Sequence, residues 1–285
     1  SDCELFVAFG GVPLKNGQIS QGGVGAHVQK SGLQSALNAG VKFVNISPLR
    51  SDLLCHFEAE WLALRPSTDT ALMLALAHVL VNEGLQNQDF LDRYTVGFEI
   101  FSAYLSGDSD GVPKTAEWAA GICDLPAQEI RTLARRMARS RTMISVAWAL
   151  TRQDHGEQPF WAAITLAAML GQIGLPGTGI GFGYSATNHV GLNRYQIDYA
   201  TFPQGQNAVK DFIPVARLND MLENPGGTFS YNGNFYEYPD IRLVWWAGGN
   251  PFHHHQDLNR MRRAWARPET IIANEWCWNA LAQHA

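Results

Sequence analysis

Two segments of this 285-residue chain place paired glycines and a run of hydrogen-bonding residues directly after a short apolar stretch. The first is Gly10-Gly11-Val12-Pro13-Leu14-Lys15-Asn16, behind Leu5 to Phe9. The second is Gly248-Gly249-Asn250-Pro251-Phe252-His253-His254-His255-Gln256-Asp257, behind Leu243 to Ala247. Glycine lets the backbone turn sharply and lets N–H groups approach an anion, so each segment reads as half of a nucleotide site or, more plainly, as an ordinary tight turn. Neither is a GxGxxG fingerprint, which argues against a nicotinamide-dependent dehydrogenase. A third cluster, Trp148, Arg152, Asp154, His155 and Glu157, crowds the approach to a helix beginning at Gln158. It reads as a capped helix N-terminus or as part of the same crevice.

Other chemistries find less support. In an extended loop His253, His254 and His255 point in alternating directions, and no carboxylate at helical spacing completes a tetrahedral set, so hydrogen bonding to an anionic ligand suits them better than a metal. No Ser or Cys sits at a nucleophile elbow. Cys3, Cys55, Cys123 and Cys277 are scattered, without a CxxC pair, and read as buried thiols rather than as a disulfide framework, a zinc site or an iron–sulfur site.

The elements that must position these groups follow from hydrophobic pattern. Glu4–Phe9 and Lys42–Ile46 read as buried strands around a helix near Ser31–Asn38, a βαβ unit with right-handed crossover. Thr70 to Val81 is a dozen residues, too short to span a membrane, and reads as a buried helix that Thr68 or Asp69 caps. Helices follow near Asn87–Tyr94, at Thr115–Ala120 and after Pro126; the last carries Arg135, Arg136 and Arg139 on a solvated face. Thr142–Leu150 reads as a third strand and Gln158–Leu170 as a helix ahead of a glycine-rich run. Residues 184–207 show little periodicity. Asp211–Leu222 reads as helical, and Phe229–Tyr238 as a hairpin about Asn232-Gly233. Strand Leu243–Ala247, helix Asp257–Ala266 and strand Thr270–Ala273 then repeat the opening pattern. Open α/β sheets bind ligands beyond the carboxyl ends of their strands, where the second strands end in Ser47-Pro48 with Arg50 close by, and in Glu275. The pattern therefore predicts an α/β fold, with Rossmann-like parallel sheets flanked by helices and two βαβ dinucleotide-binding halves. Domains of 1–185 and 186–285 follow.

Composition narrows the class further. Hydrophobic residues make up 46% of the chain and charged ones only 16%, which excludes disorder. Lys and Arg number 21 against 26 Asp and Glu, so the net charge of −5 gives no drive toward nucleic acid. No address label opens the chain, and cytoplasmic and periplasmic placements both fit.

Taken together, Gly249-Asn250-Pro251-Phe252-His253-His254-His255-Gln256-Asp257 with Asn259-Arg260-Met261, Trp148…Arg152…His155-Gly156-Glu157-Gln158, Leu170-Gly171-Gln172-Ile173-Gly174-Leu175-Pro176-Gly177 and Pro214-Val215-Ala216-Arg217 resemble the dimethyl sulfoxide reductase family of molybdenum enzymes. Within that family the resemblance is to the biotin sulfoxide, dimethyl sulfoxide and trimethylamine N-oxide reductases, and it runs from Glu4 to Ala285. It implies a bis(molybdopterin guanine dinucleotide) cofactor with molybdenum, a small S-oxide or N-oxide substrate, and NADPH or a cytochrome as electron donor. By the same resemblance Lys15, Ser47, Pro48, Arg50 and Asp69 contact one guanine dinucleotide, and Asn250, Pro251, His254, Gln256, Asp257 and Glu275 the other. Trp148 and Arg152 lie at the metal-facing end, Arg152 as the group that holds the substrate oxygen or a pterin. Ser47 stands where an Asp is often found, and Asn274-Glu275 where His-Asp is more usual. The molybdenum-ligating side chain and a closing C-terminal domain fall outside this sequence. The resemblance thus makes the chain the central fragment of a larger multidomain enzyme, inactive by itself and completed by N- and C-terminal domains of the same polypeptide. A stand-alone nucleotide-binding module is the alternative reading.

Overall fold

The computed structural model describes residues 2–18, 27–53, 59–184 and 200–285. The chain divides into two compact units, Ser1–Gln196 and Ile197–Ala285. The expected domain boundary at 185/186 lies outside the described residues, as does Cys55.

The first unit is built on five parallel strands: β1 (Leu5–Phe9), β2 (Lys42–Ile46), β3 (Glu60–Leu62), β4 (Thr142–Val146) and β5 (Gly179–Phe182), in the order β3-β2-β1-β4-β5. Every adjacent pair runs parallel, with Val7 opposite both Val44 and Ile144. This order reverses direction between β1 and β4, the switch point at which doubly wound sheets open a crevice. Helix α1 (Gln29–Asn38) covers one face through Leu33, Ala36 and Leu37, packed with Ala8, Val41 and Phe43. The opposite face, Leu5, Val7, Phe9, Val44 and Ile144, meets the main core. That core draws on α2 (Asp69–Asn82), α3 (Gln88–Tyr94), α4 (Phe98–Ser106), α5 (Ala116–Cys123), α6 (Ala127–Arg139) and α7 (Gln158–Met169). Helix α2 is apolar nearly all round because it is buried nearly all round, with Leu72, Leu76 and Leu80 inaccessible to solvent.

Several expectations change here. The strand expected over Thr142–Leu150 stops at Val146: Ala147 N–H donates the last ladder bond to the Phe9 carbonyl at 2.9 Å, and Trp148–Thr151 then coil into a 3₁₀ turn. Thr68 does not cap α2, because its hydroxyl turns back to donate to the Arg65 carbonyl at 2.7 Å. Strands β3 and β5 and helix α4 went unread. Arg135 makes paired 2.8 Å bonds to Glu83 and draws that carboxyl below its usual range, and Arg136 pairs with Glu60. The arginine face of α6 is therefore pinned to α2 and β3 rather than simply solvated.

The second unit holds α8 (Leu218–Glu223), a hairpin of β6 (Thr228–Tyr231) and β7 (Asn234–Glu237), and then β8 (Leu243–Ala247), α9 (Pro251–His254), α10 (Leu258–Trp265) and β9 (Thr270–Asn274). The expected helix over Asp211–Leu222 shrinks to a 3₁₀ turn and α8, since Pro214 is extended and opens that turn. Asn232 and Gly233 both take positive φ, as a two-residue hairpin turn requires. β8 and β9 pair in parallel and in step, Leu243 to Thr270 through Ala247 to Asn274. Trp265, Met261, Phe252, Leu222 and Leu281 make the core beneath them. Of the cysteines, Cys123 is buried and Cys3 partly so, whereas Cys277 is exposed, which corrects the reading of buried thiols. Among the described residues no helix is long and apolar enough to cross a membrane.

Candidate functional site

The crevice of the first unit starts where β1 ends. Gly10 N–H donates to the Ile46 carbonyl at 2.9 Å, and Gly10 and Gly11 then bend the chain away with φ of +79° and +72°. A Cβ on Gly10 would stand 2.7 Å from both Ala147 and Leu150, and one on Gly11 would stand 2.5 Å from the Asp52 side chain. Conformation and space thus both demand glycine at the point where the β1 and β4 ends touch. At the end of β2, buried Ser47 donates to an Asp52 carboxylate oxygen at 2.6 Å and accepts from Leu49 N–H at 3.2 Å. Asp52 also faces Lys15 Nζ at 3.7 Å, and its carbonyl accepts from Val12 N–H at 2.7 Å. Sequence reading missed Asp52. It ties the glycine loop to the β2 end and brings a carboxylate beside Ser47.

Two adjoining pockets share Gly10, Asp52 and Ala149. One, of about 310 Å³, is lined by Pro13, Lys15, Asn16, Leu49, Trp148 and Tyr184. The other, of about 220 Å³, is lined by Ser47, Pro48, Ser67, Asp69, Arg152 and Gln153. Lys15 and Trp148 therefore line the first pocket and Ser47, Pro48, Asp69 and Arg152 the second, while Arg50 stands apart. Exposed on the turn after β2, it lines neither pocket and offers only its carbonyl, to Asn45 Nδ2. Asp69 opens α2 almost wholly buried, with no cation or side-chain donor paired to it among the described residues. Burial pushes its carboxyl up to about 6, although its own backbone N–H pulls the other way. The Trp148 indole N–H is shielded from solvent and has no acceptor among the described residues.

The turn into α7 departs from a capped N-terminus, since Glu157 makes no side-chain cap. His155 takes the left-handed conformation with φ of +52°, and its ring nitrogens stand 3.9 Å from Asp154 and 3.8 Å from Glu157, all three exposed.

The second unit repeats the bend. Gly248 and Gly249 take φ of +79° and +72°, the values found at Gly10 and Gly11. Here a Cβ would meet nothing within 4 Å, so only conformation demands glycine and the space over the turn stays open. The following residues are not the extended loop expected. Asn250 Oδ1 accepts from Phe252 N–H at 3.0 Å and Pro251 starts the short helix α9, which leaves His253 and His254 exposed on its last turn. Burial, then the neighbouring His254, lowers the His255 pKa. Asp257, at φ of +49°, caps α10 by accepting from Arg260 N–H at 3.0 Å. Asn250 and Asp257 thus spend one oxygen each on the turn, and Pro251 is buried in it. His254 and Gln256 are free to face a ligand. Glu275 follows β9 directly, half-buried and without an ion pair among the described residues. No group of three or more His, Cys, Asp or Glu among the described residues could hold a metal ion.

The molybdopterin oxidoreductase family model matches residues 3–285. The chain belongs to the molybdopterin oxidoreductase family. It is 50% identical over 282 residues to the biotin sulfoxide reductase of Cereibacter sphaeroides, an alignment covering 99% of this chain and 38% of that protein. To the dimethyl sulfoxide/trimethylamine N-oxide reductase of the same organism it is 44% identical, over 99% and 35% of the two chains. The trimethylamine-N-oxide reductase of Haemophilus influenzae is 43% identical, over 87% and 31%. Among solved structures, acetylene hydratase from Pelobacter acetylenicus superposes with a TM-score of 0.50 at 28% identity, over 62% of this chain and 22% of that one. The chain therefore spans little more than a third of the relatives it matches.

Membership in this molybdopterin oxidoreductase family implies molybdenum and a molybdopterin cofactor. The residues fit such a group: a glycine bend beside Lys15 for a phosphate, an orphaned indole N–H at Trp148 for an acceptor, and the unpaired Asp69 carboxylate for a donor-rich ring.

Proposed function

We propose that this chain carries the nucleotide arms of a bis(molybdopterin guanine dinucleotide) cofactor in an enzyme that reduces S-oxides or N-oxides. The observation that carries this reading is the repeated strand end, two Gly-Gly bends with the same φ values, one in each unit and each followed by a polar turn. The buried Asp69 argues for guanine in particular. Guanine presents adjacent N1–H and N2–H donors, which an ionised carboxylate accepts together, whereas adenine presents an acceptor beside its amino group. Lys15, held by Asp52, faces a phosphate across the glycine bend, and Pro48 and Ser47 wall the base. In the second unit His254 and Gln256 stand free to donate beside the open turn, with Glu275 beyond β9 for the second guanine.

The reaction breaks the S–O or N–O bond, the oxygen leaves as water with two protons, and two electrons come from a reductant, NADPH or a cytochrome. When bound, the cofactor would supply the two-electron redox chemistry of this reduction. By the family resemblance Arg152, exposed at the rim of the 220 Å³ pocket, would lie toward the metal-facing end of the same cofactor and hold negative charge there, the nucleotide occupying the pocket itself. Arg152 acts by orientation and charge. No side chain among the described residues is assigned to the metal, and either the cytoplasm or the periplasm accommodates the enzyme.

The test is purification of the full-length protein from a molybdenum-replete host, followed by metal analysis and acid release of nucleotide. Two guanine nucleotides for each molybdenum are expected, with the first unit's nucleotide held more weakly in Asp69→Asn. Guanine without molybdenum would instead support a stand-alone nucleotide module, and molybdenum without guanine would reject the dinucleotide form.

A further inference from the structure

Two sequence signatures, Pro214-Val215-Ala216-Arg217 and Asn259-Arg260-Met261, lie outside both glycine bends, and the second unit brings their arginines onto one pair of acids. Asp220 and Glu223 stand three residues apart on α8, on the same side of that helix. From the first turn of α10 the Arg260 guanidinium spans both: Nε donates to Glu223 at 2.7 Å and Nη2 donates to Asp220. Arg217 Nη1 donates to the other Asp220 oxygen at 3.4 Å, and its guanidinium lies 5.5 Å from the centre of the Phe229 ring. The side chains of Arg260, Asp220 and Glu223 keep only 26–35% of their exposure, which limits screening of these pairs. Leu222, next to Glu223, is buried in the core that holds Trp265, so α8 is a firm anchor.

The same arginine holds the polar turn. Its backbone N–H donates to Asp257 Oδ1 at 3.0 Å, and Asp257 sits at φ of +49°, a conformation that a non-glycine residue keeps only where its surroundings enforce it. Leu258 is exposed and the buried side chains of α10 begin at Met261, so apolar packing does not fix the first turn of this helix. We infer that Arg260 is a positioning residue for the second nucleotide: by gripping both acids of α8 it fixes the start of α10, and through the Asp257 cap it holds the backbone of Gln256 and Asp257 against the ligand. A guanidinium suits this task because its planar fork meets two carboxylates at once, whereas a lysine ammonium is a point charge. The inference rests on the guanine dinucleotide reading given above and adds to it a residue that acts without touching the nucleotide.

The test counts guanine released per molybdenum from the full-length protein, purified from a molybdenum-replete host, beside the urea midpoint of each variant. The wild type is expected to hold two. Arg260→Gln is expected to hold about one at an intact molybdenum content, and so is Asp220→Asn combined with Glu223→Gln, whose acids lie on α8 and reach the turn only through Arg260. The acid pair also carries the test if Arg260→Gln does not fold. Arg260→Lys, which restores the charge and one of the two bonds, is expected to recover part of the difference. Arg217→Gln removes the other partner of Asp220 without touching the turn, and is expected to keep two. Two guanines retained in both Arg260→Gln and the acid pair overturn the inference. So does loss of molybdenum and both guanines together with a lowered urea midpoint, which is what a merely structural role produces. A wild type without guanine removes the dinucleotide reading itself, and the inference with it.

Discussion

At the scale of single residues, Asp69 ties stability against binding. Its carboxyl sits near 6 where an ordinary aspartate sits near 3.8, because burial removes the water that would solvate the charge. Between those values the folded chain holds a proton that the unfolded chain has lost. The part of the stability that Asp69 controls is therefore greatest below pH 4, falls as pH rises toward 6 and is level beyond, a loss on the order of 3 kcal/mol for a shift of this size. Asp69→Asn should remove this slope and stabilise the chain at pH 7, which urea unfolding at pH 4.5 and 7 would reveal. The same substitution puts an amide N–H toward the donors of guanine, so it should cost tenfold or more in guanine nucleotide affinity by an estimate of about 1.5–3 kcal/mol for a hydrogen bond to a charged group. Wild-type affinity should rise from pH 5 to 7 as the carboxylate ionises, and a flat titration would contradict the role. The family resemblance named Asp69 as a candidate; it did not name Asp52. In sequence it is one acid among the polar residues after Pro48, and only the fold brings it onto both Ser47 and Lys15.

At the scale of elements, the two glycine bends separate backbone conformation from packing. Gly10 and Gly248 share a φ of +79°, yet a Cβ on the first strikes Ala147 and Leu150 while a Cβ on the second meets nothing. Gly248→Ala should therefore cost only the left-handed strain, about 1–2 kcal/mol. Gly10→Ala should cost distinctly more, since the β1 and β4 ends must part to admit the methyl group, and a urea titration followed by tryptophan emission compares the two. Strand ends marked by Gly-Gly were readable because glycine there reports a conformation. β3 and β5 were not, because Glu-Trp-Leu is too short to show alternation and Gly-Ile-Gly-Phe reads as loop. β5 becomes a strand through its neighbour: Ile180 aligns with Ile144 of β4, a pairing decided at long range. The overlong reading of the Thr142 strand has the opposite cause. Ala147 to Leu150 keep an apolar pattern, but their backbone turns to carry Trp148 and Arg152 over the crevice.

At the scale of the whole molecule, β8 and β9 leave an apolar face uncovered. Both strands alternate between half-buried and exposed residues, so only one face of the pair is covered. Parallel strands ordinarily bury both faces, because their crossover connections carry helices to either side. Here Leu243, Trp245 and Ile272 are exposed on the bare face, and Trp276 and Trp278 follow in the segment after β9, Trp276 at 93%. Trp245 does make one compensating contact, its indole N–H donating to Asn274 Oδ1 at 3.2 Å. An apolar patch of this kind on a soluble chain promotes association. The isolated chain should therefore sediment as a concentration-dependent mixture of monomer and larger species. Trp245→Lys combined with Trp276→Ser should shift it toward monomer with unchanged far-UV circular dichroism, since neither side chain belongs to the Trp265 core. Sedimentation velocity of both proteins over a range of concentrations decides the matter: a wild-type chain that remains monomeric throughout would mean that the bare face is not adhesive.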